Sequence, residues 1–269
     1  YLNVDPLLGT NEEFEVLCRE AAKYGIGIVL DGVFSHTGSD SRYFNREGRY
    51  GEGGAYRDPN SPYRSWYDFD PKYKGGYRSW WGFETLPEVN EETPSFVEFI
   101  TGEGGVIDTW LRRGAAGFRL DVADELPDEF IEKIRTAVKR VSPEKFLLGE
   151  VWEDATTKFG FDHRRTYLLG KGLDSVMNYP FKNAVLDFVK GKPAQQAMNE
   201  ILSICEHYPA PAINTALNFL STHDTERALT VIADEPANGR GREWQSGRSV
   251  TGEAYEEGML RLRMAYAII

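Results

Sequence analysis

The segment GFRLDVADE, residues 117–125, places a carboxylate two residues after an arginine in a largely apolar run. Residues i and i+2 of a β-strand share a face, so Arg119 and Asp121 are predicted to point the same way. Arginine keeps its positive charge in any protein environment, and that charge should lower the pKa of Asp121. An aspartate held ionised in this way is suited to nucleophilic attack on carbon.

Two further carboxylates, Glu150 and Asp224, also have sequence neighbours that suit a catalytic role. Glu150, in LLGEVW, is flanked by Trp152 and apolar residues, an environment that favours the protonated carboxyl group of a general acid. Asp224, in STHDTER, follows His223 and is suited to stabilising a developing positive charge. Glycoside hydrolysis typically uses one ionised and one protonated carboxyl group. A single such residue is as often structural, whereas three together with histidines favour a site.

The elements that carry these residues alternate between helical and strand patterns. Thr10 and Glu13 form a capping-box pattern before a helix, and further helices are predicted over 128–140, 182–190 and 194–207 and from 254 onward. Nearly continuous apolar runs between helices are typical of buried parallel strands. Five predicted strands end on polar residues: Asp31, Asp121, Glu150, Asn178 and Asp224. The sequence therefore predicts an α/β protein whose site lies at the carboxyl ends of parallel strands.

Residues 37–90 interrupt this alternation. They hold glycine, proline and aspartate turns among many aromatic residues, too long for a simple loop and too aromatic for a disordered segment. We expect a small inserted subdomain over 37–90, with residues 1–36 and 91–269 forming the catalytic barrel. Its aromatic residues either fill a small core of their own or stack on sugar rings, and Trp81, of the pair Trp80–Trp81, is the preferred candidate for stacking.

Composition excludes several classes of partner. The 269 residues carry a formal net charge of −11, with a pI near 5.0, which argues against nucleic acid and anionic membranes. No apolar run reaches the ~18 residues of a membrane span. Two cysteines provide no zinc motif and no disulfide scaffold. A neutral substrate would be indifferent to the negative charge.

Five short segments, taken together, resemble the motifs of the α-amylase family, glycoside hydrolase family 13, and within it the neopullulanase and cyclomaltodextrinase-like branch. They are DGVFSH (31–36), LPEVN (86–90), GFRLDVADE, GEVW and STHDTER. The resemblance covers essentially the whole chain. It implies a (β/α)₈ TIM barrel with a subdomain inserted after the third strand. Counted on that pattern, the chain contains strands three to seven, and we expect a partial barrel that is a fragment of a longer catalytic domain.

The resemblance also implies an activity in carbohydrate metabolism. It implies retaining cleavage of α-glucosidic bonds in maltooligosaccharides, cyclodextrins, pullulan or starch, through a covalent glycosyl–Asp121 intermediate. Glu150 would be the acid/base and Asp224 the transition-state stabiliser. Substrate contacts are expected from His36, Arg119, His223, Trp152 and Trp81. Two alternatives stay open: a transglycosylase of the same family, and an inactive fragment or non-catalytic relative.

Ser35 departs from the pattern, because the family usually has asparagine there, which in many amylases helps to hold a structural calcium. A hydroxyl group is a poorer calcium ligand than an amide carbonyl, so we do not expect this calcium site, and catalysis requires no metal or other cofactor. An incomplete barrel would expose strand edges, so we expect either association into a homo-oligomer or an open barrel. The expected compartment is the cytoplasm, although a secretion signal upstream would lie outside this sequence.

Overall fold

A computed structural model describes residues 1–233, 237 and 239–269. These residues divide into two units, described separately below. The first unit comprises residues 1–150 and 159–174, and the second comprises residues 151–158 and 175–269.

The first unit is built on a parallel sheet of three strands in chain order. Strands β1 (Val29–Gly32), β2 (Gly117–Leu120) and β3 (Phe146–Gly149) pair in the order β1–β2–β3, and in this register Asp31 lies opposite Arg119. Two-residue strands β4 (Phe159–Gly160) and β5 (His163–Arg164) form a small antiparallel hairpin. The helices of this unit are α1 (Asn11–Ala22), α2 (Pro94–Thr101), α3 (Val106–Arg112) and α4 (Asp128–Val141).

Local sequence signals explain where these helices lie. The predicted capping box is present at α1: the Thr10 side chain accepts a hydrogen bond from the Glu13 backbone, and the Glu13 carboxylate accepts one from the Thr10 backbone. Helix α4 matches the predicted helix over 128–140. Its buried residues recur at helical spacing, which turns one apolar face toward the interior of the unit: Phe130, Ile131, Ile134, Ala137 and Val138.

The segment 37–90 contains little regular structure besides three single turns of 3₁₀ helix, at Arg64–Trp66, Lys74–Gly76 and Trp80–Gly82. Phe44 is fully buried, and its ring centroid lies 4.8 Å from that of Tyr67 and 4.6 Å from that of Tyr77. These aromatic rings therefore form a small core, the first of the two alternatives. Trp81 differs from them because 78% of it is exposed.

The second unit is mainly helical. Its elements are β6 (Ser175–Val176), α5 (Tyr179–Val189), α6 (Ala194–His207), α7 (Ala210–Ile213), α8 (Ala228–Ala233), α9 (Arg242–Ser246) and α10 (Gly252–Ile268). A hydrophobic core joins α5, α8 and α10 through residues that include Val185, Ile232 and Ala265. Asn178 caps α5, because its side chain accepts a hydrogen bond from the Phe181 backbone. Asn178 thus follows the end of β6, as the sequence predicts, and also serves as a helix cap.

The last predicted strand, NTALNFLSTHD, is shorter than expected. Within this unit its pairing is reduced to one isolated parallel bridge, between Met177 and Leu217. No helix among the described residues is long and apolar enough to cross a membrane.

Candidate active site

Asp31, Arg119 and Asp121 form one hydrogen-bonded group at the carboxyl ends of β1 and β2. Arg119 Nη1 donates to Asp31 Oδ1 at 2.6 Å and to Asp121 Oδ1 at 2.7 Å. The Arg119 and Asp121 side chains are 11% and 19% exposed, so their ion pair is largely removed from water, whereas Asp31 is 49% exposed and its pair with Arg119 is open to solvent. The prediction that Arg119 and Asp121 share one face of their strand is confirmed.

Glu150, directly after β3, brings a third carboxylate to the same guanidinium. Its Oε2 lies 2.9 Å from Arg119 Nη2 and accepts a hydrogen bond of 2.9 Å from the Val122 backbone. Val122 has a φ of +38°, a left-handed conformation rare for a β-branched residue, and this sharp turn follows Asp121 directly. Carboxylates from three neighbouring strands therefore converge on one arginine.

Asp121 ionises less readily than the sequence suggests. Burial is the main reason that the pKa of Asp121 is raised to about 6; the nearby carboxylates of Asp31 and Glu150 contribute to the rise, and the opposing effect of Arg119 does not cancel it. Arg119 lowers the pKa of Asp121, as the sequence predicts, but the net shift is upward, so the expectation that the arginine keeps this pKa below its ordinary value is wrong. The arginine is shared among three carboxylates, so its charge offsets only part of the cost of removing Asp121 from water.

His36 lies next to this group and is held from two sides. Its Nδ1 is 2.9 Å from the Ser35 hydroxyl, and its ring centroid is 5.4 Å from that of Trp80. Burial lowers the pKa of His36, although the negative charges of Glu125 and Asp31 oppose this effect. His36 is therefore an uncharged hydrogen-bonding group at neutral pH.

The residues around Ser35 do not fit a calcium ion. Ser35 is 1% exposed, and its hydroxyl is already within hydrogen-bonding distance of His36 Nδ1. In the parts of the chain that the structure describes, no cluster of three or more histidine, cysteine, aspartate or glutamate residues could hold a metal ion.

Trp80 and Trp81, two of the three tryptophans of the 37–90 segment, both donate a hydrogen bond to Glu125. The Trp80 indole donates to Glu125 Oε2 at 2.6 Å, and the Trp81 indole donates to Glu125 Oε1 at 2.8 Å. Glu125 lies in the segment between β2 and α4, where a carboxylate commonly interacts with the start of a helix. A single 3₁₀ turn, Ala123–Glu125, does follow Asp121, but the carboxylate of Glu125 serves the tryptophans. The residues are more than forty positions apart, and no local pattern could have indicated this contact.

The remaining predicted site residues belong to the second unit. Trp152 is 44% exposed and stacks on Tyr179 with ring centroids 4.5 Å apart. His223 Nε2 lies 3.0 Å from Asp224 Oδ2, and both side chains are well exposed. The Asp224 backbone donates to the Thr222 hydroxyl, which places the pair in a tight turn.

Comparison with known proteins gives consistent matches over most of the chain. Residues 1–245 match the family model described as "Alpha amylase, catalytic domain". An amylopullulanase of Thermoanaerobacterium saccharolyticum is 35% identical over 269 residues, which covers 88% of this chain and 20% of that protein. Neopullulanase 2 of Thermoactinomyces vulgaris is 32% identical over 249 residues, which covers 89% of this chain and 39% of that protein. The chain thus spans well under half the length of these relatives.

Solved structures of related enzymes also match most of the chain. The type III pullulan hydrolase of Thermococcus kodakarensis superimposes with a TM-score of 0.79 at 26% identity, covering 100% of this chain and 43% of that chain. The cyclic α-maltosyl-(1→6)-maltose hydrolase of Arthrobacter globiformis, in complex with maltose, superimposes with a TM-score of 0.73 at 29% identity, covering 86% and 50% respectively. The predicted fold is confirmed: the chain has the fold of part of a (β/α)₈ barrel.

Proposed function

The chain belongs to the α-amylase family, and from that membership we propose that it carries the catalytic carboxylates of a retaining α-glycoside hydrolase. The proposed substrates are α-glucans: maltooligosaccharides, cyclodextrins, pullulan or starch. The relatives named amylopullulanase and neopullulanase support this range. The observation that carries the proposal is the convergence of Asp31, Asp121 and Glu150 on Arg119.

In the proposed first step, Asp121 attacks the anomeric carbon while Glu150 gives its proton to the glycosidic oxygen, and the bond between that carbon and oxygen breaks. Arg119 holds Asp121 Oδ1, so we assign the attack to Oδ2. In the second step, Glu150 removes a proton from water, whose oxygen attacks the same carbon and releases Asp121. Two inversions at one carbon leave its configuration unchanged.

The other predicted site residues take supporting roles in this proposal. Asp224 stabilises the oxocarbenium-like transition state, and His223 contacts the sugar beside it. His36 and Trp152 contact the substrate through a neutral imidazole and an exposed indole face. These assignments are supported by the motifs in which the residues stand.

We also propose that cleavage requires no cofactor and no structural calcium at Ser35, whose hydroxyl already has a partner in His36. The segment 37–90 is proposed as a subdomain inserted in the barrel formed by residues 1–36 and 91–269. The packing of Phe44 against Tyr67 and Tyr77 supports a core for that segment.

The stereochemistry of the first product tests this function in the whole protein. During cleavage of maltotriose or pullulan, proton NMR recorded before mutarotation should detect the α-anomer at the new reducing end. A β-anomer would contradict a covalent intermediate on Asp121. With maltotriose as the substrate, products longer than maltotriose would indicate transfer to sugar, the transglycosylase alternative, and no turnover of any α-glucan would contradict the proposal.

The raised pKa of Asp121 predicts the acid side of the pH profile. Asp121 must be ionised to attack, so log(kcat/KM) should fall with unit slope as the pH drops below about 6. Asp31→Asn should shift this acid limb of the pH profile to lower pH, because it removes one carboxylate that raises the pKa of Asp121. A limb near pH 3.8, the ordinary value for aspartate, would show that burial does not control this ionisation.

A further inference from the structure

We propose that Glu125 is a positioning residue that clamps Trp80 and Trp81, and that the exposed ring of Trp81 is thereby presented to glucosyl units in a cleft beside the catalytic carboxylates. This inference rests on the proposed function, because the ligand is the same α-glucan. It extends that function from the cleavage point to the binding of the other glucosyl units of the α-glucan.

The geometry of the clamp uses both oxygens of one carboxylate. Glu125 Oε2 accepts the indole N–H of Trp80 at 2.6 Å, and Oε1 accepts that of Trp81 at 2.8 Å. An ionised carboxylate has acceptors and no donor, which suits two indoles that have a donor and no acceptor. Hydrogen bonds to a charged group are stronger than neutral ones, so one side chain orients two rings.

Trp81 needs such a clamp, because little else holds it. It is 78% exposed, and among the residues that the structure describes its ring contacts that of Trp80, at 5.9 Å between centroids. Its φ of +51° lies in the left-handed region, where a bulky residue is strained. Strain of this kind persists where surrounding contacts enforce it. We infer that the bond to Glu125 supplies that enforcement and keeps the ring facing solvent.

The clamp adjoins the catalytic group. Glu125 lies four residues after Asp121, in the 3₁₀ turn that follows β2. Trp80 contacts His36 on its other side, with ring centroids 5.4 Å apart. A continuous series of side chains therefore runs from His36 through Trp80 and Glu125 to Trp81.

A cleft of about 790 Å³ extends from Trp81, within the size range of small-molecule sites. Its wall combines aromatic rings with polar side chains: Tyr67, Arg78, Trp81, Glu88, Glu91 and Glu125. The C–H faces of sugar rings pack on aromatic rings, and carboxylates accept hydrogen bonds from hydroxyl groups. The excess of acidic groups disfavours anionic ligands, so this surface suits a neutral polyol.

Glu91 gives this wall a donor as well as acceptors. Burial, with smaller contributions from the neighbouring carboxylates of Glu88 and Glu125, raises the pKa of Glu91 to about 8. At pH 7 its carboxyl group is therefore mostly protonated, and it can donate a hydrogen bond to a sugar hydroxyl.

The test compares a long substrate with a short one in the whole protein. α-Glucosyl fluoride occupies only the cleavage point, whereas maltoheptaose also reaches beyond it. Glu125→Ala should lower kcat/KM for maltoheptaose on the order of tenfold, the scale of hydrogen bonds to a charged group, and should leave α-glucosyl fluoride nearly unchanged. Trp81→Ala should do the same. The double variant should lose no more than either single variant, because both changes remove one platform.

Glu129→Gln is the matched control, since it removes the same charge from an exposed site in the first turn of α4. It should not change the preference for maltoheptaose. Equal losses on both substrates in Glu125→Ala, or additive losses in the double variant, would overturn the clamp. Failure of the unmodified protein to cleave α-glucosyl fluoride and all α-glucans would instead refute the proposed function, so the two failures are distinguishable.

Discussion

Asp121→Asn should lower kcat on maltooligosaccharides by on the order of 10⁴-fold or more, the scale observed when a catalytic nucleophile is lost. An amide nitrogen or oxygen cannot form the glycosyl ester that the carboxylate forms. The fold should persist, because an asparagine oxygen can still accept the 2.7 Å hydrogen bond from Arg119 Nη1. Steady-state kinetics together with a thermal unfolding curve measure the two expectations separately.

A matched control and a direct chemical test accompany this variant. Asp162→Asn makes the same change at an exposed residue with a φ of +61°, a conformation that asparagine tolerates, and should leave kcat nearly unchanged. In the unmodified protein, a slowly hydrolysed fluorosugar should add its glycosyl mass to the peptide that carries Asp121. Near-normal turnover by Asp121→Asn, or labelling of a different peptide, would refute the assignment of the nucleophile.

Glu150→Gln should reduce kcat on maltooligosaccharides by about 10²–10⁴-fold, the usual contribution of general acid–base catalysis. The glutamine oxygen can still accept from the Val122 backbone, so the side chain should stay in place. The loss should depend on the leaving group: fluoride departs without a proton, so the first step with α-glucosyl fluoride should be largely preserved. Added azide, which attacks without a general base, should yield α-glucosyl azide.

Glu144→Gln, in the exposed loop before β3, is the control for Glu150→Gln and should leave both substrates unaffected. If Glu150→Gln reduced turnover of α-glucosyl fluoride as severely as turnover of maltooligosaccharides, and azide gave no product, protonation of the leaving group would not be the role of Glu150. Its contact with Arg119 would then be its main contribution, as a structural ion pair.

Much of the architecture could be predicted from local sequence rules. Helix α1 follows from the capping box at Thr10 and Glu13, and α4 follows from apolar residues at helical spacing. The predicted strands β1, β2 and β3 form the parallel sheet; β2 and β3 are mostly buried, as such apolar runs predict, whereas β1 is largely exposed. The final predicted strand is the exception: in the described part of the chain its pairing is a single bridge at Leu217, since an apolar run alone does not determine whether a partner strand pairs along its length.

In the candidate site, too, some features follow from the sequence and others depend on the tertiary structure. That Arg119 and Asp121 share a face was determined by the sequence alone, because side chains alternate along a strand. The direction of the pKa shift of Asp121 was decided by the tertiary structure, because burial and the carboxylates of Asp31 and Glu150 come from other strands. The contact of Glu125 with Trp80 and Trp81 also depends on the fold, since it joins residues 44 and 45 positions apart. Local periodicity determines which way a side chain points, whereas solvation and long-range partners exist only after distant segments have packed.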